Sequence, residues 1–566
     1  MEELDHEAGQ AVQEPPEQEE KKTQSQILVG LCSDMQFVHD EQGEGYAKVN
    51  NNGHYELWPI KSKKMKLILT DRYMKAYSDK VPSDNAKNEA VSALEAKAVL
   101  RGKRVKIHTR IAETEEAIYV DLCNDKWEAI EIKKDGWKIV SEPPVYFKRS
   151  DIMQPLPRPS ENGKLNDLKP FINFQNENDY KLIIAWILST MKENNPFPIL
   201  TIQGEQGSAK STTTKVLRAL VDPSSLPLRA LPNDEQTLAI SANNTWILAY
   251  DNLSGLSTGM SDSLCKMSTG GGLSVRELYT TGEEAVFNIM RPSILNGIDD
   301  IAQRPDLLDR SIVITLPSIS EEARTDEKTF WKNFREKQSS ILGAICDVVT
   351  AGLRELSNTT LEKRPRMADF ALWITACEKS LSWSDGEFMD IYNENRGKAI
   401  DQGIESDPFA SAIVEIMKRK SEWIGNASQL LGEAAKYTDE RTARSRAWPT
   451  SRSVRNRLRR INPSLEKIGI GCDPWFNQMR RTLKIERLSH YRNYRNDRNE
   501  ASQDKGLTYY DNNYDKTIND DTSSYDYDNE KTSSLKKAYH DKAYDDNDDN
   551  DDISEETSKE GEDILI

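Results

Sequence analysis

From about residue 25 to 150, apolar and polar positions alternate over short runs: YAKV, YELWPI, RVKIHTRI, AIYVDL, WEAIEI and GWKIV. A period of two marks half-buried strands, and one run of helical period, NEAVSALEAKAVL, interrupts them. The segment predicts a small α+β domain. From about 165 to 390 the pattern changes. DYKLIIAWILSTMKE and STTTKVLRALV carry apolar residues at helical spacing, whereas PILTIQ, TWILAYD, RPSILNG and RSIVITLP are short, continuous apolar runs. Helices alternating with buried strands predict an α/β core with a mostly parallel sheet covered on both faces. A long helical run, TFWKNFREKQSSILGAICDVVTAGLREL, follows. Between 405 and 488, helical patterns in PFASAIVEIMKRK, NASQLLGEAAKY and SVRNRLRRI precede a candidate strand pair, IGIGCDPW and RRTLKIERL. Helices followed by a hairpin suit a winged-helix-like domain.

The connecting segments lack such patterns. Residues 1–24 are rich in Glu and Gln with almost nothing to bury, and are expected to be disordered. The prolines and polar residues of 151–164 read as a linker. A chain of 566 residues is too long for one core, which agrees with several domains. The net charge of -17 argues against a polyanionic partner on average, but it is unevenly spread. Residues 441–498 hold sixteen Lys/Arg against four Asp/Glu, while 499–566 hold seven against twenty-one. A basic segment is therefore followed by an acidic tail, which is expected to be disordered. The six cysteines form no C-x-x-C pair and the six histidines do not cluster near them, which argues against a disulfide framework and a zinc site. The opening MEELDHEAGQ is no secretory signal, and the most apolar stretch, LIIAWIL at 182–188, falls far short of the roughly 20 residues that cross a bilayer. A soluble, cytoplasmic protein without a membrane partner is expected.

Candidate chemistry begins at GEQGSAKST: Gly204, Glu205, Gln206, Gly207, Ser208, Ala209, Lys210, Ser211 and Thr212. It has the form of the phosphate-binding loop G-x-x-x-x-G-K-[ST], except that Ala209 replaces the last glycine. It follows an apolar strand and precedes a helix, so main-chain N–H groups and the helix N-terminus would face the phosphates of ATP. Lys210 would reach the β- and γ-phosphates and Ser211 would bind Mg²⁺. The extra methyl of Ala209 is tolerable in helical rather than left-handed dihedrals, and the helical conformation is expected. The alternative is a glycine-rich turn with an incidental lysine. Asp251 ends the apolar strand TWILAYD about forty residues later, where the metal-binding carboxylate of such a site belongs. The next residue, Asn252, is not the second acid that commonly polarises water; Asp234 and Glu235 are alternatives.

CKMSTGGGLSVRELY, 265–279, resembles the segment between the metal-binding strand and the sensor strand in superfamily-three helicases. These are AAA+-related ring ATPases that replicate viral, phage and plasmid genomes. The resemblance covers about 165–390 and extends more weakly to 25–150 and 405–488. It implies an AAA+-like P-loop hydrolase using ATP and Mg²⁺, assembled as a homo-oligomeric ring on single-stranded or forked DNA, with possible replication partners. By residue match, Lys266 and Arg276 inherit DNA or inter-subunit roles, with Thr269 to Gly272 forming the turn; the alternative is a plain glycine-rich hairpin. In PSILNGI the strand is expected to end on Asn296, which by its order after the loop, the acid and TGG takes the place of the residue that senses the γ-phosphate between the two other motifs; the alternative is a strand-end cap or turn former. Arg304 and Arg310 of RPDLLDRSIVI resemble arginines that complete a neighbour's site, with Arg310 preferred; either could instead be a salt-bridge residue. Acidic clusters of a primase-polymerase site are not evident at the N-terminus, so priming is not assigned.

RTARSRAWPTSRSVRNRLRRI adds a nucleic-acid signal. Arg452, Arg455 and Arg459 share one side of an expected helix, with Arg457 and Arg460 nearby, as phosphate contacts on a recognition helix require. Trp448 and Trp475 are read as core aromatics, with base stacking as the alternative. The expected function is an ATP-dependent DNA helicase or translocase for replication of a viral, plasmid or integrated mobile element. Its rivals are a DNA-bound initiator that uses ATP as an assembly switch without unwinding, and a small-molecule kinase or metabolic NTPase.

Overall fold

The computed structural model of the chain describes residues 22–276, 284–287, 289–297, 301, 304–445, 448–477 and 481–490. The acidic tail and residues 1–21 of the N-terminal segment lie outside them. Residues 22–24 of the segment expected to be disordered are described, and Thr23 forms a reciprocal capping box with Gln26 on α1 (Gln24–Gly30).

The N-terminal region holds two sheets. In the first, β1 (Gln36–His39), β2 (Gly45–Asn51) and β3 (His54–Pro59) form an antiparallel meander, packed under α2 (Lys63–Ala76) and α3 (Asp84–Arg101). β4 (Lys103–Arg104) joins β1 in parallel, and β5 (Ile107–His108) pairs in parallel with β10 (Tyr146–Phe147). Between them β6 (Ile111–Glu113), β7 (Ile118–Asp121), β8 (Ala129–Lys133) and β9 (Gly136–Val140) form a second antiparallel meander.

The middle of the chain is a mixed α/β unit. In order it contains α4 (Glu177–Ser189), β11 (Ile199–Gln203), α5 (Lys210–Val221), α6 (Glu235–Asn244), β12 (Leu248–Leu253) and α7 (Thr258–Thr269). The hairpin β13 (Leu273–Arg276) and β14 (Glu284–Phe287) follows, then β15 (Ser293–Gly297), α8 (Pro305–Leu308) and β16 (Ser311–Thr315). Long helices α9 (Glu327–Glu355), α10 (Ala368–Glu378) and α11 (Glu387–Glu405) complete it. Strands β12, β15, β11 and β16 lie side by side in that order, all parallel. β11 and β15 are buried along their whole length, which explains why both read as continuous apolar runs.

No break in packing separates the second meander from this unit. Ile118, Val120, Ile130 and Ile132 share one core with Ile341, Ile345 and Trp373 of the long helices. Arg110, wholly buried and left-handed at φ 64°, reaches from the N-terminal region into the unit. Its Nε donates to Asp222 Oδ1 (3.1 Å), just past α5, and its Nη1 donates to the Asp121 carbonyl (2.9 Å). The stretch 151–163, read as a linker, is packed on both sides. Arg158 pairs with Glu128 at 2.6 Å, Leu156 is buried, and the Ser160 amide donates to the Ser339 carbonyl of α9 (3.1 Å).

The C-terminal region comprises α12 (Pro408–Arg419), β17 (Glu422–Gly425), α13 (Ala427–Ala434), α14 (Glu440–Ala443), α15 (Val454–Lys467), β18 (Ile470–Asn477) and β19 (Thr482–Arg487). Its antiparallel sheet runs β17, β19, β18 and encloses a separate core of Phe409, Ile413, Leu430, Leu458, Leu465 and Ile485. Trp448 packs edge-on against Phe409 at 5.5 Å, as expected of a core aromatic. Trp475 does not, being 47% exposed. One carboxylate ties this region back to the α/β unit: Asp309, just past α8, accepts from Arg396 of α11 (2.6 Å) and Lys467 of α15 (2.7 Å). Burial pushes its carboxyl up, but the two cations outweigh burial and hold it down at about 2. Among the described residues no helix is long and apolar enough to cross a membrane.

Candidate functional site

The loop 204–209 joins the buried β11 to α5 at the C-terminal edge of the parallel sheet. Gly204 and Gly207 have positive φ, and a Cβ on Gly204 would lie 2.6 Å from the Leu316 carbonyl oxygen, so only glycine fits there. Ala209 corrects the expectation made for it. It sits at φ 62°, ψ 27°, in the left-handed region rather than the helical one. The reason is the tightness of the turn: Ser208 Oγ donates back to the Glu205 carbonyl (2.8 Å), and Ala209 must reverse the chain directly into the first helical residue, Lys210.

Lys210 Nζ donates to the carbonyls of Gly204 and Glu205, both at 2.8 Å. These partners are neutral main-chain groups, so no carboxylate cancels the lysine charge inside the loop. Burial pushes the amine below its ordinary range, while the nearby Asp251 pulls it partly back. Ser211 Oγ donates to Asp251 Oδ2 at 2.8 Å, bringing the two expected metal-binding residues together from α5 and β12. Asn296 is fully buried on β15, the strand between β11 and β12 in the sheet. Its Oδ1 accepts from the Asn252 amide (3.1 Å) and its Nδ2 donates to Thr214 Oγ1 (3.0 Å), which in turn donates to the Lys210 carbonyl. Asn296 thus bridges the turn after Asp251 to the helix that carries Lys210. Glu205 and Gln206 are exposed at the loop's outer side, and Thr212 is half-buried on α5.

Other expected residues stand apart from this constellation. Asp234 caps α6 by accepting from the Thr237 amide (2.7 Å), and Glu235 faces Lys266 at 3.5 Å. Arg304 donates to the Thr258 carbonyl (2.9 Å) and to Asp262 (2.5 Å) on α7. Arg310 is ion-paired with Asp306 and also donates to the Asp306 carbonyl (2.9 Å). Arg304 keeps 40% of its side chain exposed and Arg310 only 13%, so Arg304 is the freer of the two. Arg276 ends β13, and both its side chain and the hairpin tip at 277–283 lie outside the described residues. In the C-terminal region Arg452 sits in the turn before α15 rather than on it. Arg459 and Arg460 are exposed on the helix. Arg457 is bound to Asp407 at 2.7 Å, and Arg455 lies over the Trp475 ring at 4.6 Å.

Two residues at the loop carry no signal in the sequence. Asn173 Nδ2 donates to the Ser208 carbonyl (3.0 Å) and to the Pro317 carbonyl (2.7 Å), bracing the loop from outside. Arg324, exposed after β16, brings Nη2 within 3.2 Å of where a side chain on Gly207 would begin. A cavity of about 370 Å³ opens between α4, the edge strand β16 and α11, lined by Asn176, Asp179, Thr315, Asn395 and Lys398. Thr315 Oγ1 accepts from Gln203 Nε2 (3.2 Å), so the cavity wall touches the residue that leads into the loop. Burial pushes the Asp179 carboxyl above its ordinary range. Among the described residues no cluster of His, Cys, Asp and Glu forms a metal site on its own.

Residues 165–384 match the family model described as actinomycete integrative conjugative element replication protein, and 409–502 match that of the AICE RepA C-terminal domain. No curated protein matches. Among solved structures the chain is similar to SCCmec type IV Cch, described as an active helicase, at 12% identity and a TM-score of 0.40, covering 72% of this chain and 87% of that one. It is also similar to the C terminal region of NrS-1 at 10% identity and a TM-score of 0.36, covering 82% and 99%. The matched segments make the chain similar to replication proteins of a mobile element in both its α/β unit and its C-terminal region.

Proposed function

We propose that 165–390 is an AAA+-like P-loop ATPase and that the chain is an ATP-dependent DNA helicase or translocase acting in replication of a mobile element. The observation that carries this reading is the meeting of Lys210, Ser211 with Asp251, and Asn296 at the carboxyl ends of three adjacent parallel strands. Ligands of open parallel sheets bind outside that edge. The order of the strands supports it too, since β15 with its Asn296 lies between the loop strand and the acid strand. The two family matches favour a replication protein over a metabolic kinase.

In this reading the loop amides and Lys210 take the phosphates of ATP, whose charge replaces the carbonyls Lys210 now contacts. Ser211 and Asp251 would hold Mg²⁺, which neutralises charge between the β- and γ-phosphates when bound. Asn296 senses the γ-phosphate and relays its presence to Asn252 and the end of β12. Arg324 supplies a second fixed charge from the same chain. The cavity beside Thr315 seats the base, with Asp179 and Asn395 as its polar groups. Arg304 and Arg310 serve the site of a neighbour in a homo-oligomeric ring, Arg304 first because it is the more exposed. Lys266, on α7, and Arg276, at the end of β13, are the candidate DNA contacts of this unit. The C-terminal region, with its α12–β17–α13–α14–α15–β18–β19 order, works as a winged helix on DNA through Arg452, Arg455, Arg459 and Arg460, whereas Arg457 is engaged by Asp407.

The test is ATP turnover with and without single-stranded DNA, together with strand displacement on a forked duplex. Lys210→Ala and Asp251→Ala are expected to abolish DNA-stimulated turnover. Arg324→Ala is expected to weaken ATP binding by about 10- to 100-fold, the worth of a charge-assisted hydrogen bond. Unchanged turnover in both Lys210→Ala and Asp251→Ala would sink the site. Turnover without displacement would leave an ATP-switched initiator.

A further inference from the structure

β18 is regular only at its two ends. Asp473 is opposite Lys484 and Asn477 opposite Thr482, so three residues of β18, Pro474, Trp475 and Phe476, stand against one residue of β19, Leu483. The extra residues form a bulge, reinforced by a proline that has no N–H to give to the ladder. Two consecutive residues of a regular strand point to opposite faces, and one of these would be buried here. The bulge instead turns both aromatic rings outward, each 47% exposed. Neither ring joins the core that β19 helps to enclose.

The surroundings are cationic on the Trp475 side. Arg455 of α15 lies over the ring at 4.6 Å, with Arg459 and Arg460 exposed further along the same helix. On the Phe476 side, Lys484 sits 5.5 Å from the ring but is shared by Glu422 (3.1 Å) and Glu486 (2.7 Å), which cancel its charge. Aromatic rings set among arginines that have no ion pair among the described residues suit a chain whose bases are open and whose backbone is anionic.

We infer that the bulged edge of β18 is a stacking platform for unpaired bases of single-stranded DNA, with Trp475 as its centre and Phe476 as its flank. This rests on the proposed DNA-binding role of the C-terminal region and specifies the form of DNA it takes. Arg455 holds one face of the indole and leaves the remainder open to a base, so stacking adds to the phosphate contacts of Arg459 and Arg460 instead of competing with them. Duplex DNA, whose bases are already stacked, gains nothing from the platform.

The full chain and its variants are tested by fluorescence anisotropy on labelled oligo-dT and on a duplex of mixed sequence, over a series of salt concentrations. Trp475→Ala is expected to weaken oligo-dT binding by about 5- to 100-fold at every salt concentration, the range for loss of one base stack. The slope of log affinity on log salt should stay unchanged, because no phosphate contact is lost, and duplex binding should stay at the parent value. Trp475→Phe should recover most of the affinity. By contrast, the double substitution Arg459→Ala, Arg460→Ala should flatten the slope on both forms of DNA, by about 0.7 per lost contact on the single strand. Oligo-dT binding equal to the parent in Trp475→Ala, with the arginine variant impaired, overturns the platform and leaves the DNA-binding region standing. Equal loss on oligo-dT and duplex also overturns it. A parent chain that binds neither DNA overturns both readings.

Discussion

Ala209 holds a left-handed backbone that its methyl group opposes, at a cost of roughly 1–2 kcal/mol relative to a residue without a Cβ. The loop accepts this because the carbonyls of Gly204 and Glu205, Ser208 Oγ and Lys210 Nζ fix the turn together. Ala209→Gly should therefore raise stability by about 1 kcal/mol, read as a higher thermal midpoint, with ATP turnover at least equal to the parent. A lower midpoint would show that the freedom given to the unfolded chain outweighs the strain relieved. The meeting of the lysine, the serine, Asp251 and Asn296 was legible because each stands at, or within two residues of, the start of a helix or the end of a strand. The dihedral of Ala209 was not, since a pattern of residue types says nothing of how sharply the chain turns. Asn173 and Arg324 were invisible for a different reason. They stand far from the loop in sequence, in LKPFINF and SEEARTDE, and only the packing of α4 and of the chain beyond β16 brings them to it.

At the scale of elements, the strands of the α/β unit were readable because burial on both faces leaves uninterrupted apolar runs, as in β11 and β15. β17 escaped because four residues, EWIG, with only two of them buried, carry too short a pattern. The bulge in β18 escaped because its proline and aromatics fit a regular strand end equally well. The packing of the second meander onto the long helices also left no trace in the sequence, because the prolines of 151–163 look the same in a free connector and in a fitted one. Arg110 adds a polar tie to the apolar core those parts share. It is fully buried against Asp222, with Asp121, Gln154 and Pro223 offering carbonyls to the same guanidinium. Among the described residues, Arg110→Ala leaves the Asp222 carboxylate in the core with Arg218, 3.7 Å away, and the Ile247 amide as partners. Loss of one partner of a buried pair costs about 3–5 kcal/mol. The thermal midpoint should fall accordingly, and proteolysis should open the chain between the meander and the α/β unit. A midpoint within about 1 °C of the parent, far below the shift that such a loss implies, would show that Arg218 takes over the carboxylate.

For the molecule as a whole, the disposition of charge sets what the proposed DNA-binding surface can do. The chain carries -17 overall, yet the stretch that supplies α15 and the β18–β19 hairpin holds sixteen basic residues against four acidic ones. Immediately after it come seven basic against twenty-one acidic residues, in the tail that lies beyond the described chain. A polyanion tethered next to a basic surface meets that surface at a high effective concentration, and so competes with DNA without needing a specific fold. Removal of 499–566 should therefore tighten DNA binding, on the order of tenfold at low ionic strength, with the gain shrinking as salt shortens the Debye length. The same deletion should leave ATP turnover without DNA unchanged, because Lys210, Ser211, Asp251 and Asn296 all lie in the α/β unit. It should also lower the DNA concentration needed for half-maximal stimulation. Anisotropy titrations of the parent and the shortened chain across a salt series decide the matter. Binding that weakens on deletion, or stays the same at every salt concentration, would mean that the tail serves solubility or a protein partner and leaves Arg459 and Arg460 to DNA throughout.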